Sequence, residues 1–222
     1  MRLSEMRTLV RFQIPEPTPR FFSDAELNQY INLGHRRFVE KSLIVEGIFN
    51  TDLFNGQQDY DLTGLPNLGI SKIAITDDMG NKFKLRKINK GEMDDLLPTW
   101  ENASAGTPAF YVLKHNRLMS IWPAPAFTVV NGVEATVKKI PADLVSEGDI
   151  PEYPSTYHDA PVEYAIGLAK RKDQEFAEAD RFFVRFEDIA NRARRDMERI
   201  NGDEPERFRT QEIIAFIGGR KT

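Results

Sequence analysis

Eight apolar residues near the end of the chain, Phe176, Ala179, Phe183, Phe186, Ala190, Ala193, Met197 and Ile200, recur with gaps of 3, 4, 3, 4, 3, 4 and 3. This spacing keeps one stripe along about seven turns of helix, with the a/d-like register of a coiled coil. A stripe of that length has to be covered by other helices, so it sets the first requirement on the fold. Two segments can supply the cover. Leu27, Tyr30, Ile31, Gly34 and Phe38 follow the i, i+3, i+4, i+7 rule behind Ser23 and Glu26, which have capping-box spacing; the expected helix runs to about Glu46. Val162, Ala165, Ile166 and Ala169 form a second stripe, whose small residues permit close approach. A shorter helix over Ser4–Phe12 is expected to turn Leu3, Met6, Leu9 and Val10 to one side. The three prolines of "IPEPTPR" (Ile14–Arg20) stop it and hold an extended course.

Between these helical ends the hydrophobic period changes from 3.6 to 2. Short strands are expected at Gly56–Leu62, Ile70–Thr76, Lys82–Ile88 and Val133–Ile140, with "DDMGN" as the turn between the second and third. "KGEMDDLLP" reads as one small helical turn. "AFYVLKHNRLMSIW" reads as a hairpin about His115-Asn116-Arg117, closed by Pro123-Ala124-Pro125, and Asn131-Gly132 reads as a further turn. The fold class is therefore α+β: a bundle formed by N- and C-terminal helices, an inserted small antiparallel β-sandwich or barrel-like domain, and an extended C-terminal tail. The divisions fall at 1–48 for the first helices, 49–152 for the insert, 153–202 for the helices that complete the bundle, and 203–222 for the tail.

The same residues exclude several chemistries. The chain has no cysteine, which removes disulfides, thiolate nucleophiles and Cys-ligated metals. His35, His115 and His158 are far apart and lack ligand spacing, and no phosphate-binding glycine loop or nucleophile elbow occurs. No metal and no cofactor is expected, and no catalytic residue is assigned. A formal net charge of -4 gives no global basic field, and no run of apolar residues is long enough for an export signal or a membrane span. Two features remain. Arg181, Arg185, Asp188, Arg192, Arg195 and Arg199 line a mixed-charge face of the long helix, suited to a contact between subunits. After Pro205, the segment carrying Phe208, Ile213, Ile214, Phe216 and Ile217 is apolar outside any periodic core, and so is expected to dock on a partner.

The order of the motifs resembles one family. A capped "FSDAELNQYINLGHRRF" is followed by a G-x-x-x-Y-x-L strand at Gly56, Tyr60 and Leu62, then Trp100 ahead of "GTPAFY", then "LMSIWPAP", "IPADL", "DIPEYPSTYHDAPVEYAIGLA" and the long helix. This succession, over about residues 21–200, resembles the head-to-tail adaptor (connector) proteins of tailed bacteriophages in which a β domain is inserted into a helical bundle. The resemblance implies a non-enzymatic virion protein at the head-tail junction, assembled in the host cytoplasm. It implies a ring of the chain itself, of twelve copies, beneath the portal protein ring. The tail nozzle, tail-tube or tail-completion proteins would lie below, and double-stranded DNA would pass through the channel without sequence-specific binding. It also implies that the C-terminal segment reaches the portal. Two other readings of the residues stand beside it. One is a carbohydrate- or receptor-binding tail module using Trp100, Trp122 and Tyr111; the other is a tail-associated hydrolase using Asp94, Asp95 and Glu101.

Overall fold

A computed structural model describes residues 1–201 apart from 17, 63–66 and 116–117. Helices from both ends of the chain pack together, and a seven-stranded sheet is inserted between them, the α+β arrangement the change of period requires.

α1 (Leu3–Gln13) and α2 (Asp24–Ser42) form the N-terminal pair. Leu3, Met6 and Val10 are buried as expected, but Leu9 faces outward and Arg11 takes an inward place. Arg11 is held there because its guanidinium donates to Asp24 Oδ1 at 2.5 Å and to the Phe22 carbonyl at 3.0 Å. The proline segment is not a plain extended link. The Glu16 carboxylate accepts the amides of Arg20, Phe21 and Phe22 and folds the connection onto the start of α2. Ser23 caps α2 by accepting the Glu26 amide at 3.1 Å. The Glu26 carboxylate is engaged elsewhere, by the Tyr30 hydroxyl and by Lys172, so the capping box is one-sided.

α2 ends at Ser42 rather than near Glu46. Leu43 turns left-handed at φ 54°, and the chain leaves as β1 (Glu46–Leu53), a strand not expected from the local pattern. β2 (Asp59–Asp61), β3 (Asn67–Thr76), β4 (Lys82–Lys87), β5 (Phe110–His115), β6 (Leu118–Trp122) and β7 (Val129–Lys139) complete a sheet of order β1-β7-β3-β4-β5-β6-β2. The β3–β4 turn is the one expected: the Asp77 carboxylate accepts the amides of Met79 and Asn81. Asn131-Gly132, by contrast, is no hairpin turn. Asn131 has φ 53° inside β7, its amide donates to Asp52 Oδ1, and the register slips opposite Thr51/Leu53, which makes the pair a bulge. β4 and β5 pair in parallel while the other pairings are antiparallel. A parallel pair needs a crossover, and here α3 (Lys90–Leu96) and a 3-10 turn at Trp100–Asn102 provide it.

Apolar side chains from all seven strands, among them Leu53, Tyr60, Ile73, Leu85, Tyr111, Met119 and Val133, share one buried cluster, so the sheet curls around a single core. The hairpin is covered on its other face as well, where Phe110, Val112 and Trp122 pack with Met93 and Trp100.

From β7 the chain crosses the bundle as a strap of residues 140–158 before entering α4 (Asp159–Lys172) and α5 (Phe176–Asn201). Asn32 anchors the strap twice, donating to the Leu144 carbonyl and accepting its amide at 2.8 Å. α4 closes the α1–α2 core through Val162, Ala165, Ile166 and Ala169. In α5, Ala179, Phe186, Ala190 and Ala193 are buried, Phe183 and Met197 are half-buried, and the two ends of the stripe, Phe176 and Ile200, are exposed. The seam is thus the middle of the stripe, and both ends extend past it.

Candidate functional site

The residues that first suggest chemistry are tied into the structure. Trp100 and Trp122 are 2% and 8% exposed and Tyr111 is 3% exposed, so none of these three offers an open platform for a sugar. The Trp100 indole donates to Asp94 at 2.7 Å, and Glu101 is paired with Lys114 at 3.1 Å. Asp94 and Glu101 therefore hold the α3 crossover in place. His35 and His158 are buried. His35 Nδ1 meets the Tyr153 hydroxyl and its Nε2 the Ala142 carbonyl, both at 3.2 Å; His158 Nε2 meets the Tyr153 carbonyl at 2.9 Å. Burial pushes both imidazoles below their usual pKa and keeps them neutral. His115 lies at the last β5 position, opposite Leu118.

A cavity of about 180 Å³ lies under the strap, lined in part by His35, Asp143, Asp149 and Glu152. Its charged walls are all engaged. Asp143 meets Arg36 at 3.3 Å, Glu152 meets Lys139 at 2.6 Å, and Asp149 accepts the amides of Val145 and Ser146. Those backbone bonds hold the Asp149 carboxyl below its ordinary range. Among the described residues, no group of three or more His, Asp or Glu side chains is arranged to hold a metal ion. Among the same residues, no helix is long and apolar enough to cross a membrane.

The outward-facing residues are of a different kind. Arg181, Arg185, Asp188, Arg192, Arg195 and Arg199 are all exposed along α5. Their internal pairings are loose: Arg185 reaches Glu163 only at 3.9 Å and Arg199 reaches Asp196 at 3.8 Å. Spacings of 4, 3, 4, 3 and 4 place them on one side, away from the buried alanines. Phe208, Ile213, Ile214, Phe216 and Ile217 lie outside the described residues. The pattern did not single out three exposed aromatics near helix ends: Phe12, Phe21 and Phe176 are 80%, 57% and 60% exposed. Lys172 at the end of α4 sits 4.6 Å from the Phe21 ring. Isolated aromatics beside prolines and helix ends have no period to betray them.

This surface presents a long charged face on α5, exposed aromatics near helix ends, and an insert whose Trp100, Trp122 and Tyr111 are turned inward. The chain belongs to the SU10 adaptor protein family, whose family model matches residues 1–209. It is accordingly a bacteriophage structural adaptor, a class that interacts with other phage proteins. A search of curated proteins finds no match.

Proposed function

We propose that this adaptor forms a ring, of twelve copies, beneath the portal vertex, where it joins the DNA-filled capsid to the tail and lines the channel through which the genome passes. The observation that carries this reading is the family match across 1–209 on a chain whose bundle carries an inserted curled sheet. In the assembled ring the α5 face of Arg181, Arg185, Asp188, Arg192, Arg195 and Arg199 meets a neighbouring copy. Each exposed pair contributes only about 0–1 kcal/mol. Repetition around a closed ring and templating by the portal make such contacts sufficient, so the free chain is a monomer before assembly except at low salt, where charge contacts are strengthened. The 203–222 segment, with Phe208, Ile213, Ile214, Phe216 and Ile217, reaches the portal, while the opposite side receives tail nozzle or tail-completion proteins. Electron microscopy of the protein mixed with a portal ring tests this. A second ring added under the portal is the expected image, and a bare portal at saturating protein sinks the proposal.

A further inference from the structure

The inserted sheet is electrically two-faced. On β3 and β4 the inward positions Ile73, Ile75 and Leu85 are buried, and the alternate outward positions carry Lys72, Lys82, Lys84 and Arg86. Glu134, paired with Lys82 at 2.5 Å, is a counter-charge on that column. Along β4 the cations step by about 6.7 Å, two strand residues. The opposite sign gathers around β2. Asp59 and Asp61 flank the inward Tyr60 there, and Asp94, Asp95 and Glu101 are exposed on the crossover beside it. Lys114 links the two parts, at 3.2 Å from Asp59 and 3.1 Å from Glu101, so its charge is absorbed between them.

The topology sets these surfaces apart. In the order β1-β7-β3-β4-β5-β6-β2, β2 lies three steps from β4. The strands share one core around which the sheet curls, so the outer positions of β2 and β4 belong to separate parts of the surface, and Asp94 and Asp95 lie on the crossover that follows β4. One chain therefore presents a basic face on β3 and β4 and a distinct acidic patch on β2 and the crossover. A contact between two such different patches, passed from copy to copy, is heterologous, the geometry that closes into rings.

We propose that the Lys72/Lys82/Lys84/Arg86 face of one copy docks on the Asp59/Asp61/Asp94/Asp95/Glu101 flank of a second copy, forming a lateral contact in the β layer separate from that of α5. The proposal rests on the ring reading above and adds to it the surfaces that meet. A duplex is a poorer occupant of the basic face. The strip is narrow, Glu134 lies on one side of it and the acids of α3 on the other, and a polyanion laid across it would meet both.

Two charge-altered full-length chains test the contact: Lys72→Glu/Lys84→Glu, which makes both patches acidic, and Asp95→Lys/Glu101→Lys, which neutralises the acidic patch. All four sites are exposed; because Glu101 also pairs with Lys114, Asp95→Lys alone is the control for that bond, and the circular dichroism of each chain should match that of the unaltered one. In sedimentation velocity at about 20 mM salt, where charges act over long range, the unaltered protein should self-associate weakly and lose this at about 300 mM. Each variant alone should associate at least tenfold more weakly. Their equimolar mixture should recover association at least tenfold tighter than either alone, since the unaltered acidic patch of the first then meets the unaltered basic face of the second. A mixture no tighter than its components overturns the proposal. So does a random-sequence duplex that binds the unaltered chain and is released by Lys72→Glu/Lys84→Glu, which would assign the basic face to nucleic acid. Rings that form under the portal equally well from both variants overturn this contact and leave the adaptor reading intact, whereas an unaltered chain that never joins the portal removes the reading on which it rests.

Discussion

Gly34 is a point of close approach between α2 and α4. A Cβ placed on it would lie 2.9 Å from the Pro161 Cα and carbonyl oxygen and from Tyr164 Cβ, and two of those atoms are backbone that cannot yield. Gly34→Ala should therefore destabilise the bundle by about 1–3 kcal/mol, the usual cost of overpacking, read as a melting temperature lower by several degrees. An unchanged melt would mean the helices separate more easily than their packing implies. The buried imidazoles make a second prediction at this scale. His35 and His158 stay neutral in the fold with depressed pKa values, whereas in the unfolded chain each takes up a proton near pH 6.5. Below that pH the unfolded state binds more protons, so stability should be full above about pH 7 and fall as the pH drops through 6.5 toward the folded values. Thermal melts between about pH 7.5 and 5 should show this slope, and it should flatten in His35→Gln. Residue identity was only partly legible in advance. Helical period placed Leu3, Met6 and Val10 correctly but had no means of exchanging Leu9 for Arg11, because the Asp24 carboxylate and Phe22 carbonyl that receive Arg11 belong to a different element.

Elements with strong period and clear punctuation were readable from the chain alone: α2 with its Ser23 cap, α5 with its eight-residue stripe, and the β3–β4 and β5–β6 hairpins. Replacing Ser23 by Ala should remove the bond to the Glu26 amide and cost about 1 kcal/mol, visible as a lower urea midpoint with an unchanged slope. The elements that escaped were those whose cause is remote. β1 contains Gly47, Asn50 and Asp52, poor strand formers, and exists because it pairs with β7 from Glu46↔Lys138 to Leu53↔Val129. The same pairing turns Asn131-Gly132 from a turn into a bulge. A left-handed Leu43 at the end of α2 has no local signature either, since leucine is an ordinary helix residue. As for the candidate surfaces, the α5 charges were legible from spacing. The sign separation around the insert was not, because it depends on strand order and on a sheet that curls around a common core.

At the scale of the whole molecule, the tail and the body separate as experimental objects. Truncation after Pro205 leaves every described helix and strand in place, so melting should be unaffected while co-sedimentation with portal rings falls at least tenfold; equal binding by the truncated chain would refute the docking role of residues 206–222. The strap over 140–158 has a different consequence, which concerns the order of folding. Leu3, Met6 and Leu27 share their core with Val162, Ala165 and Ile166, more than 100 residues later in the chain. During synthesis the first two helices must wait, with an apolar face uncovered, until the entire sheet has emerged and the strap has brought α4 back across them. The β insert can collapse around its own core as soon as β7 is made. It is thus the part able to mature first, and the bundle that holds it in the particle is finished last.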